Sequence, residues 1–165
     1  MEIMGKVHKF GDDINTDYII SGRYKFKTLD MKELASHIFE DIDPDFSKKI
    51  KPGDIIVAGS NFGCGSSREQ AVLALKYADV GAVIAKSFAR IFFRNGINVG
   101  LILIEANTDN ISQDDFIKIN LKQGIIINQT KNETIEITPL PDFLLEIINE
   151  GGIINYLKKY KDFKL

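Results

Sequence analysis

The residues best suited to chemistry form one stretch, Gly63-Cys64-Gly65-Ser66-Ser67-Arg68-Glu69-Gln70. It stands between an apolar run, Ile55-Ile56-Val57-Ala58, and a segment of helical pattern. The first turn of a helix presents unpaired N–H groups and a partial positive charge, so a strand-to-helix turn is a ready anion site. Glycine at 63 and 65 lets backbone approach a ligand with no Cβ in the way. Two hydroxyls followed by a guanidinium add donors suited to a carboxylate or a phosphate. A plainer reading is available for the same residues. Ser66 and Glu69 have the S-x-x-E spacing of a capping box, which would only satisfy the helix start.

Other glycine-rich sites fit less well. The third glycine of a dinucleotide fingerprint would fall on Arg68, and the next strand ends in Lys86 where a ribose-binding acid is expected. No Gly-Lys-Ser/Thr follows for a P-loop, and no Gly-x-Ser-x-Gly marks a nucleophile elbow. The acidic stretch Gly11-Asp12-Asp13-Ile14-Asn15-Thr16-Asp17 reads as an Asx-rich turn. It lacks the glycine and the closing glutamate of a calcium loop. The single cysteine, Cys64, has no disulfide partner in the chain and cannot alone hold a zinc ion or an iron–sulfur cluster. His8 and His37 lie far apart in no metal-ligand spacing and read as structural.

The elements that must position these residues follow from periodicity and turn chemistry. Residues 5–10 read as a strand, 18–20 as a short apolar run, and 21–30 as a loop. Residues 31–40 read as a helix with Asp30 as its N-cap and Leu34 and Ile38 on one face. Pro52-Gly53-Asp54 marks a turn. Residues 55–58, 82–85 and 99–104 read as buried strands, with helices at 66–77 and 88–94 between them. That β–α–β–α–β order predicts a parallel sheet covered by helices, an α/β fold. Strands follow at 116–120, 125–128 and 134–138. Helix returns at 142–149, breaks at Gly151-Gly152 and resumes to Tyr160. The basic run Lys158-Lys159-Tyr160-Lys161 fits a solvated helix end.

At 165 residues, with 44% apolar and 27% charged side chains, the chain suits one globular domain, 1–165, without repeats or linkers. A formal net charge of −2 argues against nucleic acid as a partner. No stretch has the length of a signal peptide or the roughly 20 apolar residues of a membrane span, so a cytoplasmic location is expected.

Three stretches together resemble the swivel domain of the aconitase family, in the version that forms a free-standing small subunit. Gly63-Cys64-Gly65-Ser66-Ser67-Arg68-Glu69 is similar to its signature. Residues 11–17 are similar to its early acidic segment, and Ala85-Lys86-Ser87-Phe88-Ala89-Arg90-Ile91-Phe92-Phe93-Arg94-Asn95 to its Ser-Phe-Ala-Arg segment. The resemblance covers the whole chain. It implies a swivelling β/β/α fold and an active site shared with a separate large subunit that carries a [4Fe–4S] cluster, with no cofactor held by this chain. By position, Ser66 would be the base that removes a proton from carbon. Ser67 and Arg68 would bind substrate carboxylate. Thr16 and Asp17 would face the site, Asp17 in position to orient a guanidinium. The implied reaction is reversible dehydration and rehydration of a di- or tricarboxylate of malate type, foremost the isomerisation of 2- and 3-isopropylmalate in leucine biosynthesis. Homoaconitase chemistry and a citramalate or dimethylmalate dehydratase are the rivals, and a non-catalytic anion-binding module is the alternative outside enzymes. Residues 23–28 match the loop that meets the substrate's variable group in the family. Lys27 stands nearest the arginine that pairs with an extra carboxylate in aconitase and homoaconitase, and lysine lacks that residue's bidentate fork. Asn15, Cys64 and Gln70 depart from commoner Asp, Glu and His.

Overall fold

The computed structural model describes residues 2–24 and 30–161. Strand β1 (Glu2–Lys9) is the hinge of the architecture, because it belongs to two differently built halves of one sheet. On one side lie β2 (Ile55–Val57), β3 (Ala82–Ala85) and β4 (Leu103–Glu105), all parallel, in register Val7↔Ile55, Ile55↔Ala82 and Val83↔Leu103. On the other lie β5 (Phe116–Asn120), β6 (Ile125–Asn128) and β7 (Glu133–Glu136), all antiparallel, with Ile3 opposite Ile119. The strand order is β4-β3-β2-β1-β5-β6-β7.

Each parallel strand neighbours the next in the sequence, so right-handed crossovers place every connection on the same face. Those connections carry α1 (Thr16–Ile19), a 3₁₀ turn (Gly22–Tyr24), α2 (Met31–Ala35), α3 (Phe46–Lys49), α4 (Glu69–Tyr77) and α5 (Arg90–Asn98). Ile56, Val83 and Leu103 pack with Leu34, Phe46, Val72, Leu75 and Phe92 on this helical face. The opposite faces of the same strands, Val7, Ile55, Val57, Ala82, Ile84 and Ile104, pack with Ile117, Ile119 and Ile126 of the antiparallel half. With both faces covered, β2 and β3 are buried throughout, which is why they read as unbroken apolar runs. Each fully buried Ile, Leu or Phe contributes roughly 1.5–3 kcal/mol of transfer free energy. Helices α6 (Asp142–Asn149) and α7 (Ile153–Tyr160) follow the sheet; α6 places Leu145 in the second core. The α/β class and the β/β/α layering expected from the sequence are therefore present.

Several boundaries differ from the sequence reading. Within the short apolar run 18–20, Tyr18 and Ile19 belong to a helical turn capped by Asn15, whose side chain accepts from the Tyr18 N–H at 3.0 Å, and Ile20 is its extended C-cap. Asp30 does cap α2, accepting from the Glu33 N–H at 2.8 Å, but α2 ends at Ala35 and irregular turns follow. Helix α5 is shifted toward Asn98, and β4 starts at Leu103 rather than at residue 99. The difference that matters most is at α4. It begins at Glu69, with Arg68 in the N-cap position and no side-chain cap bond, so the S-x-x-E capping box does not form.

Candidate active site

Parallel strands end at the same edge of a sheet, and an open α/β sheet gathers its functional loops there. The chain leaving β1 carries residues 11–17, the chain leaving β2 carries residues 59–68, and the chain leaving β3 carries residues 86–89. Backbone bonds zip the first two together. Gly59 N–H donates to the Gly11 carbonyl (3.0 Å), Asp13 to Ser60 (2.8 Å), Gly63 to Ile14 (2.7 Å) and Thr16 to Cys64 (2.9 Å). The third joins through Phe62 N–H to the Ser87 carbonyl (3.0 Å) and Ala89 N–H to the Phe62 carbonyl (2.9 Å). Side chains reinforce the seams. Asp12 Oδ1 accepts from Ser60 N–H (2.7 Å) and Ser87 Oγ from Asn61 N–H (2.8 Å). The Asn61 side-chain amide donates to Asp13 Oδ1 (3.1 Å).

The glycines explain how the loop turns. Gly63 has φ +82°, and a Cβ there would lie 2.1 Å from Phe92 Cγ. Gly65 has φ +90°. Two left-handed residues in so short a span turn the chain away from the helical path, leaving Ser66 and Ser67 outside α4 and exposed. Thr16 is buried, and its Oγ1 donates to the Ser66 carbonyl at 2.8 Å. Its hydroxyl proton is therefore committed to holding the Ser66 backbone. Neither the Ser66 nor the Ser67 hydroxyl bonds to a described residue. No described residue accepts from the amides of Gly65, Ser66 or Ser67.

Arg68 is the charged centre. Its side chain is 13% exposed and forms an ion pair through Nη1 with Asp17 Oδ1. The pairing of Asp17 with a guanidinium, inferred from sequence, is thus present. While Nη1 is held by Asp17, Nε is buried without a hydrogen bond to any described residue. Buried donors left open are rare in folded chains and mark a place where an acceptor belongs. Thr16, Gly63, Gly65, Ser67 and Arg68 line a cavity of about 230 Å³ with Ala89, Arg90, Ile91, Phe92 and Asn95. A larger cleft of about 390 Å³, between Phe93 and Pro141, is walled mainly by apolar side chains and has no cation.

Of the residues singled out in the sequence, Ser66, Ser67, Arg68, Thr16 and Asp17 lie on this one edge; Lys27 lies outside the described residues. The sequence reading passed over Arg90 and Asn95 as cavity walls, although the Ser-Phe-Ala-Arg stretch contains both. At the margin, Lys86 pairs with Asp109 and ties the chain after β4 to the chain after β3. The hydrogen bond from Lys86 holds the Asp109 carboxyl below its ordinary range. Among the described residues no three His, Cys, Asp or Glu side chains converge as metal ligands, and no helix is long and apolar enough to cross a membrane.

The aconitase C-terminal domain model matches residues 17–109, which run from Asp17 through β2, β3 and β4 to Asp109, and the chain belongs to that family. Within the family it matches dehydratase small subunits from end to end. It is 54% identical to the 3-isopropylmalate dehydratase small subunit 2 of Archaeoglobus fulgidus over 100% of both chains. It is 57% identical to the methanogen homoaconitase small subunit of Methanocaldococcus jannaschii, over 98% of this chain and 94% of that one. A crystal structure of 3-isopropylmalate dehydratase from Methanocaldococcus jannaschii superposes with a TM-score of 0.92 at 57% identity, covering 98% of this chain and 96% of the other. These relatives are components of hydro-lyases, the class expected from the sequence, and a non-catalytic binding module is set aside.

Proposed function

We propose that the chain is the small subunit of a cytoplasmic 3-isopropylmalate dehydratase, and that its Ser66–Arg68 loop forms half of an active site completed by a large subunit. The observation that carries this reading is a free serine hydroxyl beside a cavity-lining arginine whose buried Nε has no acceptor among the described residues. A substrate carboxylate supplies that acceptor. Arg68 would bind it through Nε, and Asp17, paired with Nη1, would hold the guanidinium in place. Ser67 would add a hydroxyl donor. Thr16 would act at one remove, by fixing the Ser66 carbonyl.

Ser66 would take the proton from carbon. A serine alkoxide is strongly disfavoured in water, so it needs positive partial charges already in place. The open amides of Gly65, Ser66 and Ser67 and the Arg68 charge supply them, as donors do in an oxyanion hole. The site lies before the helix rather than in its first turn, so this loop bears more of the burden than the α4 dipole. The [4Fe–4S] cluster does not fit this chain, whose one cysteine is a single soft ligand where a cluster needs several, and it is assigned to the large subunit.

A second reading is favoured by one fact. A homoaconitase small subunit stands at 57% identity and an isopropylmalate dehydratase small subunit at 54%, so overall likeness does not choose between an isopropyl group and an extra carboxylate. Lys27→Val separates them: it should weaken turnover of homocitrate-type acids selectively if Lys27 meets a carboxylate. For the main proposal, the purified chain is mixed with its large subunit and assayed with isopropylmalate. Activity should require both chains and vanish in Ser66→Ala while the variant still assembles; full activity in that variant would sink the assignment of the base.

A further inference from the structure

The Arg68–Asp17 pair is roofed by the turn Gly22–Tyr24. A Cβ built on Gly22 would stand 3.5 Å from Arg68 Nη2 and 3.6 Å from Asp17 Oδ1, so bare backbone forms the wall over the guanidinium. Ile20, Ser21, Tyr24, Leu34, Arg68 and Gln70 line one narrow cleft, which places the turn and the arginine against each other. Tyr24 N–H donates to the Ser21 carbonyl (3.1 Å) and Arg23 N–H to Ser21 Oγ (3.3 Å).

Further bonds reach the turn from residues 37–41, and most of them meet at one carboxylate, Glu40. Glu40 Oε1 accepts from Arg23 Nη2 at 2.8 Å and from the Tyr24 hydroxyl at 2.9 Å, while Oε2 lies 2.5 Å from His37 Nδ1. Arg23 Nη2 also reaches Asp41 Oδ1 at 3.0 Å, and the Tyr24 ring stacks on His37 with centroids 4.2 Å apart. The segment carrying Glu40 is itself pinned to the site. Phe39 N–H donates to the carbonyl of Ile19, the last residue of α1, at 2.9 Å, and α1 begins with Thr16 and Asp17. The hydrogen bond from His37, against the effect of burial and with help from Tyr24 and Arg23, keeps the Glu40 carboxyl below its ordinary range.

We propose that Glu40 is a positioning residue for carboxylate recognition: by gathering Arg23, Tyr24 and His37 it fixes the turn Gly22–Tyr24 against Arg68 and so sets the direction in which the guanidinium meets substrate. The proposal rests on Arg68 being the carboxylate ligand. Glu40 touches neither Arg68 nor Ser66, so its loss should alter substrate binding far more than the proton-transfer step.

The test uses Glu40→Ala and Glu40→Gln in the small subunit, assembled with the large subunit. In Glu40→Ala the KM for isopropylmalate should rise roughly 5- to 50-fold, the range expected for a misplaced positioning group, with kcat within about twofold of wild type. Glu40→Gln keeps an acceptor for Tyr24 and Arg23 and should recover part of the loss. In the isolated small subunit, tryptic cleavage after Arg23 should be faster in Glu40→Ala. Wild-type KM together with wild-type cleavage overturns the proposal, and so does a fall in kcat at constant KM. If Glu40→Ala does not fold, Glu40→Gln decides: a KM raised at least about twofold supports the role, and an unchanged one ends it. An inactive wild-type complex would remove the underlying functional reading, and the cleavage rates would still decide whether Glu40 holds the turn.

Discussion

Two halves of one sheet share β1 and a common core, yet the candidate chemistry lies in one of them. In the parallel half, β1, β2 and β3 all finish at the same edge, and each is followed by a long connection that must cross back over the helical face. Three chain segments are thereby brought side by side and can hydrogen-bond to one another before any helix begins. In the antiparallel half, β5, β6 and β7 are joined by tight turns that fall alternately at opposite ends, so no two of those turns meet. The family match stops at residue 109, before β5, and includes the segments after β2 and β3 and Asp17 of the segment after β1. The second half serves as a lid on the core, the first as a platform for a site.

The sharpest way to break that contrast is at Ser66. Ser66→Ala should lower turnover by roughly 10²–10⁴-fold, the usual share of a general base. Because the hydroxyl has no described partner, the melting temperature of the variant should match wild type. Gly63→Ala should act through the fold instead. A Cβ at φ +82° collides with Phe92, which costs about 2–4 kcal/mol and draws α5 away from the cavity. Denaturant titration would read the loss, and turnover should fall with it.

The third prediction stays in the parallel half but moves to the opposite edge. Asp54, just before β2, lies 2.8 Å through Oδ2 from His8 Nε2, and both are buried. Burial raises the Asp54 carboxyl, but bonds from His8 and the Lys51 N–H prevail and hold it below its ordinary 3.8. A carboxylate with a depressed folded-state value stabilises the protein fully above the unfolded value, and that contribution is lost as pH falls through the folded one. Asp54→Asn should therefore cost about 1–3 kcal/mol at neutral pH. The gap to wild type should close only in acid, below 3.8. Because the pair lies away from the site, kcat/KM at neutral pH should be unchanged; a drop there would mean the two edges are coupled.

How far the sequence could be read follows the same division. Strands β2 and β3 and helix α6 were legible because their signals are local: unbroken branched apolar runs, and an apolar face closed by Gly151-Gly152. The site loop was legible only as a set of residues. Ser66 and Glu69 have capping-box spacing, but the Ser66 carbonyl is held by Thr16, fifty positions earlier, and Gly63 and Gly65 turn the chain aside. No window of sequence contains that competition. The same holds for Tyr18 and Ile19, legible only as part of a short apolar run, which the Asn15 cap and the Thr16–Cys64 bond wind into a turn of helix. Long-range backbone pairing decided both.

The smallest predicted effect tests the quiet half. Glu136 is exposed at the end of β7, the outer strand of the antiparallel side, opposite Ile125. Exposed acids on an outer strand make no strong contact but discourage pairing with another sheet edge. Glu136→Ala should change stability by no more than about 0.5 kcal/mol and leave kcat and KM of the assembled enzyme unaltered. Its one expected consequence is greater self-association of the isolated chain, visible by analytical ultracentrifugation, because a charge that repels edge-to-edge pairing has gone. A change in KM would show that the antiparallel half reaches the substrate, and would end the separation of platform from lid.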